Sequence, residues 1–183
     1  MKRTALALLL LIPQTAAAHV GEHAGGFWSG LTHPLGGVDH VLAMVAVGLW
    51  AALNGGRAMW AMPAAFVAAM LAGGAAGFAG LAVPGIEPAI LASILCIGLA
   101  VAFAVRLPLG LAVAALAVFG AAHGVAHGAE GPASGMAVYA AGFALATLGL
   151  HGLGLMLGRA VQRLPIRVLG GLTAAAGTVL AVA

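Results

Sequence analysis

From about position 38 onward, long apolar runs alternate with short breaks that carry most of the charge. The runs fall at roughly 38–54, 58–80, 88–105, 108–130, 134–158 and 164–183, each near the ~20 residues that take a helix across ~30 Å of hydrocarbon. The pattern predicts an all-α integral membrane bundle of about six transmembrane helices. The connections are short, so no segment can form a soluble catalytic or nucleotide-binding domain. Whatever the chain binds is small and held within or beside the membrane.

The first residues follow another pattern. Met1, Lys2 and Arg3 precede an apolar stretch from Ala5 to Ile12, a Pro13-Gln14 break and Ala16-Ala17-Ala18. This is the layout of a cleaved signal peptide over 1–18, with an apolar core too short to be a first span. The mature chain, 19–183, then begins at His19 outside the cytoplasm and forms a single transmembrane domain. Alternation from there places Arg57, Arg106, Arg159, Arg163 and Arg167 in three cytoplasmic loops and Glu22, Glu87 and Glu130 on the outer side, as the positive-inside rule expects. Trp50 and Trp60 bracket the first inner loop and read as interfacial anchors. The protein is therefore expected in a bacterial inner membrane, multi-pass, in contact with lipid.

Composition narrows the function. Only 6% of residues are charged and 63% are hydrophobic, against about 25% charged in a soluble domain, and mean hydropathy is +1.15. The only lysine is Lys2, which excludes a lysine-containing phosphate loop and a Schiff-base pocket from the mature chain. No basic surface suggests nucleic acid. Cys96 stands alone in an apolar run and reads as a packed thiol, so no cysteine-based metal site is available. Glycines recur at helix-packing spacing, at Gly73/Gly77, Gly120/Gly124/Gly128 and Gly154/Gly158, where small residues let backbones approach in lipid.

The polar residues that remain are mostly histidines, in two motifs. His33-Pro34-Leu35-Gly36-Gly37-Val38-Asp39-His40 stands at the outer entrance of the first span. Pro34 suits a first helical position, and a helix continued from there carries His40 two turns below His33 with Asp39 beside it. In His123-Gly124-Val125-Ala126-His127-Gly128-Ala129-Glu130, spacing of four and then three residues stacks His123, His127 and Glu130 on one stripe at the outer end of the fourth span. Ionisable groups in a membrane usually face a cavity or one another. Four histidines and two carboxylates on one side therefore suggest a shared divalent-metal site, although hydrogen bonding between helices can also occupy single histidines. His19, with a free α-amine after cleavage, and His23 are further candidate ligands on the external tail. His151, deeper in the fifth span, reads either as an exit-side ligand or as a structural hydrogen-bonding residue. Imidazole with carboxylate suits nickel, cobalt, zinc, copper(II) or iron. The lack of thiolates and of a methionine pair argues against copper(I).

These residues resemble the HupE/UreJ family of hydrogenase- and urease-accessory membrane proteins. The resemblance is carried by His33-Pro34, Gly37 and Asp39-His40 followed by Val41-Leu42-Ala43-Met44, and by His123-Gly124, His127-Gly128 and Glu130. It implies a permease that moves nickel, and in part cobalt, inward for metalloenzyme maturation. It implies no enzyme activity and no resident cofactor, the metal being cargo; a homo-oligomer is compatible with it. The rival readings are an integral membrane metalloenzyme, a bis-histidine haem protein using His40 with His123 or His127, and an accessory protein that binds metal without transport.

Overall fold

The computed structural model describes residues 26–160 and 163–182, and it is helical throughout, with no strand among them. The helices are α1 (Phe27–Gly36), α2 (Val38–Asn54), α3 (Ala58–Phe78), α4 (Ile86–Ala102), α5 (Leu109–Ala129), α6 (Met136–Ala160) and α7 (Arg163–Val182). Four of these, α3, α5, α6 and the stretch Pro165–Val182, are long and apolar enough to cross a membrane, and the bent pair α1–α2 makes a fifth if it is counted as one span. The apolar helix α4 is shorter, at 17 residues. This is a multi-pass membrane protein. Its perimeter shows the same solvent: Leu71, Phe78, Leu99, Leu111, Val118, Leu145, Met156 and Val179 all point outward. Exposed apolar residues at such density belong against lipid tails.

Helix α2 is the centre of the bundle. Ala43, Met44, Ala46, Val47, Leu49, Trp50 and Ala51 are buried along it, and it packs against α6, α4, α3 and α7. Glycine sets the closest contacts. On α3 and α5, which run side by side in the same direction, Gly120 lies on the backbone of Phe66, Gly124 on that of Met70 and Gly128 on that of Gly74. From the other side, Gly73 and Gly77 press on Ala121 and Val125. A methyl group at any of these positions would run into backbone atoms of the neighbour. Gly154 meets Val45 and Gly48 meets His151 where α2 and α6 touch, and Gly158 packs on Ala52. All three glycine series anticipated from spacing thus lie in helix interfaces.

Three expectations need correction. The helix expected to start at Pro34 begins at Phe27 and contains Pro34 in its last turn. The break falls instead at Gly37, where the chain is extended and α2 leaves α1 at 88°. Trp50 is not an interfacial anchor: it is buried, and its indole N–H donates to the Val105 carbonyl at 2.8 Å, tying α2 to the α4–α5 turn. Trp60 is 65% exposed, as an anchor should be. Cys96 is exposed on α4 rather than packed. In lipid both faces of a helix are apolar, so hydrophobicity alone does not separate inward from outward positions.

Because the α3–α5 contact leaves no room for side chains, Gly124→Ala should lower the unfolding midpoint in detergent, at a cost of about 1–3 kcal/mol. Gly149→Ala, where nothing lies within 4 Å of an added methyl, should not. Equal loss in both variants would show that backbone contact is not what holds the pair.

Candidate metal centre

The chain passes its polar groups to opposite ends of the bundle. Arg57 precedes α3, Arg106 lies in the α4–α5 turn, Arg159 ends α6, and Arg163 and Arg167 begin α7, all at one end. At the other end lie the start of α2, with Asp39 and His40, the end of α5, with His127 and Glu130, and the start of α4, with Glu87.

The sharp turn at Gly37 decides the local geometry. His33, in the last turn of α1, and His40, in the first turn of α2, do not share a helical stripe. They meet because the chain folds back on itself, with ring centroids 6.1 Å apart. Helix α1 is held in place by a crossing with α6, where Gly30 rests on Tyr139 and Gly142 on Phe27. Gly37 is required for space rather than for conformation. A methyl there would lie 2.5 Å from Asp39 Oδ1 and 2.7 Å from His40 Nδ1, although its backbone φ of −108° suits any residue.

His127 reaches the same point from α5. Its Nε2 is 2.5 Å from Nε2 of His40, and its ring centroid is 5.1 Å from that of His33. Among the described residues, His33, His40 and His127 form one cluster in which a ligand atom from each lies within 4.8 Å of the others. All three are partly buried. Tyr139 and Phe143 of α6 form an aromatic floor, 5.8 and 5.5 Å from the His33 ring, with Phe143 4.9 Å from that of His127.

Asp39 stands behind His40. Its Oδ2 is 2.8 Å from His40 Nδ1, close in distance though not aligned as a hydrogen bond, since Nδ1 makes none. A carboxylate in this place favours the proton on Nδ1 and leaves Nε2, the atom facing His127, as the bare donor. Asp39 also lies in the first turn of α2, where the helix dipole favours a negative charge.

His123 is one turn deeper on α5 and completely buried. Ser93 of α4 spends its only proton on the Ile90 carbonyl at 2.6 Å. With its proton so placed, its oxygen accepts from His123 Nε2, at 2.9 Å. Nδ1 of His123 is buried and without a hydrogen-bond partner. The His123 ring lies 5.9 Å from that of His40, beside the cluster but outside it.

Glu130 follows the end of α5 as its C-cap and is exposed, apart from the cluster. His19 and His23 lie outside the described residues, as does the expected signal peptide. Sequence reasoning did not find Ser93, Tyr139 or Phe143. A lone serine in the apolar run of α4 was the available signal for the first; nothing in the sequence separates the two aromatics from ordinary core. Beside the cluster, a cavity of about 370 Å³ opens between α3, α5 and α6, lined by His127, Met70, Phe78, Met136 and Tyr139 among others.

The comparisons with known proteins decide the family. The model described as "HupE / UreJ protein" matches residues 6–180. The chain belongs to the HupE/UreJ family. It is 45% identical over 187 residues to "Protein HupE" of Rhizobium leguminosarum bv. viciae, covering 99% of this chain and 97% of that one. No solved structure matches it significantly. Within this HupE/UreJ chain, both histidine motifs therefore lie inside the matched region.

The Ser93 contact is open to direct measurement. Nitrogen NMR of selectively labelled histidine should show His123 protonated at Nε2. Ser93→Ala should destabilise the protein by about 1–3 kcal/mol by leaving a buried donor unmatched. A resonance showing the Nδ1–H tautomer would contradict this hydrogen-bond assignment.

Proposed function

We propose that this protein is a permease of the bacterial inner membrane that captures a divalent transition-metal ion at its outer face and carries it inward. Nickel is the first choice and cobalt the second, with maturation of a metalloenzyme such as hydrogenase or urease as its purpose. The observation that carries the reading is the convergence of His33, His40 and His127, from three helices, with ligand atoms within 4.8 Å of one another. Three imidazoles with a supporting carboxylate suit borderline divalent metals. The nickel-permease role that membership of the HupE/UreJ family implies selects among them.

In this reading α2 to α7 make six spans, with the mature N-terminus outside. Helices α2 and α4, at 17 residues each, are about 26 Å long and cross with the help of their flanking turns. The five arginines then face the cytoplasm. Metal is the cargo rather than a resident cofactor, and the protein is not an enzyme. His19 and His23 would deliver ions from the external tail, and Glu130 would attract them at the rim. Asp39 would orient His40, and His123 would receive the ion next. An inward-negative potential favours entry by about 2.3 kcal/mol per charge per 100 mV, provided each site holds the ion weakly enough to let it go.

Purified protein in liposomes, given radiolabelled nickel and an inward-negative potential, should accumulate it, and His40→Ala and His127→Ala should each abolish most of the uptake. Asp39→Asn should weaken nickel binding by about 10–100-fold, the usual effect of losing a carboxylate behind a ligating histidine. Binding without accumulation in the wild type would remove the permease and leave a receptor. Protons compete with metal for imidazole, which ordinarily titrates near 6.5. Uptake at fixed potential should therefore be fully present at pH 8 and fall as pH drops through about 6.5. A flat profile down to pH 5 would count against capture by histidine.

A further inference from the structure

His151 is buried in α6 with 1% of its surface exposed, and neither ring nitrogen has a hydrogen-bond partner. An unmatched buried imidazole is costly, and an apolar side chain of similar size would serve packing better. Its place in the bundle suggests why it is there. It lies 15 residues after Met136, about 22 Å down the helix from the outer end. Its ring meets Phe66 of α3 edge-on, with centroids 5.3 Å apart. The same Phe66 ring lies 5.5 Å from His123, which in turn lies 5.9 Å from His40.

The rings thus form one inward line: His40, His123, Phe66, His151. The rings of His123, whose Nδ1 has no hydrogen-bond partner, and of His151, with two unpartnered nitrogens, both lie against the single phenyl ring of Phe66. Phe66 is fully buried, between Met62 and Met70 one turn to either side on α3. Thr147, one turn before His151, directs its hydroxyl to the Met70 sulfur at 3.9 Å.

We propose that His151 is a second, inner stop for the same class of divalent transition-metal ion, closed off from His123 by the ring of Phe66. The proposal rests on the reading of the outer histidines as the capture site. Passage from one stop to the next requires the phenyl ring to turn aside, so that the ion leaves His123 as it meets His151. Two weak stops in series allow conduction where one strong site would retain the ion.

Two measurements separate this proposal from that reading. Equilibrium dialysis of tag-free, detergent-purified protein against nickel up to millimolar concentrations should find one ion per chain fewer in His151→Leu than in the wild type. His127→Ala should lose a different, outer ion and keep the inner one. The same count in wild type and His151→Leu overturns the inner site, whatever the transport result. Nickel uptake into liposomes should fall at least about tenfold in His151→Leu, while its outer-site affinity is kept and its thermal stability is equal to or above that of the wild type. Undiminished uptake by the folded variant also overturns the proposal. If the wild type accumulates no nickel, the permease reading fails and the dialysis count still decides the inner site. Phe66→Leu, a smaller change than Phe66→Ala, should load the inner site from outside faster; an unchanged loading rate removes Phe66 as the barrier.

Discussion

The bundle depends on backbone touching backbone between α3 and α5. Lipid tails are as apolar as leucine side chains, so helices in a membrane gain little by burying leucines against one another. They gain by packing more closely than tails can. The glycines at 120, 124 and 128 do this every four residues, each against a backbone stretch of α3. His123 and His127 occupy the same two turns of α5. The interface that holds the pair together therefore also fixes how far the imidazoles project and in which direction.

A second constraint acts at Gly37. An uninterrupted helix would have stacked His33 above His40 on one face, facing one neighbour. The 88° turn instead brings His33 in from the side, carried by α1 as it crosses α6. The cluster thereby draws on three helices that approach from different directions, which is how a site surrounds an ion rather than lining one wall. The absence of a methyl at Gly37 lets Asp39 and His40 close over the turn, so the same residue serves the bend and the carboxylate behind the imidazole.

Much of this was legible in the sequence, for a physical reason. A span must be about 20 apolar residues long, so hydropathy located α2 to α7 within a few residues of where they lie. Charge placed the five arginines among the described residues at one end and the histidine motifs at the other. The four-residue glycine spacing marked the interfaces. What remained hidden depended on rotation about helix axes and on tertiary contact. In lipid the inner and outer faces of a helix are equally apolar, which is why Cys96 and Trp50 were misplaced. The proline at 34 drew attention from the Gly36-Gly37 pair that ends α1, because a proline late in a short helix removes a hydrogen bond without turning the chain. Ser93 acquires its meaning only from the proximity of α4 to α5, and Tyr139 and Phe143 only from that of α6.

The cavity between α3, α5 and α6 gives the cluster an unusual neighbour. Leu71 and Phe78, both exposed at the bundle's perimeter, help to line it, and His127 forms part of its wall. Its lining is mostly apolar and runs on into the outward-facing apolar perimeter of the bundle. His127 thus has the other imidazoles on one side and an apolar wall on the other, and a lipid chain resting at that mouth would border the imidazole directly.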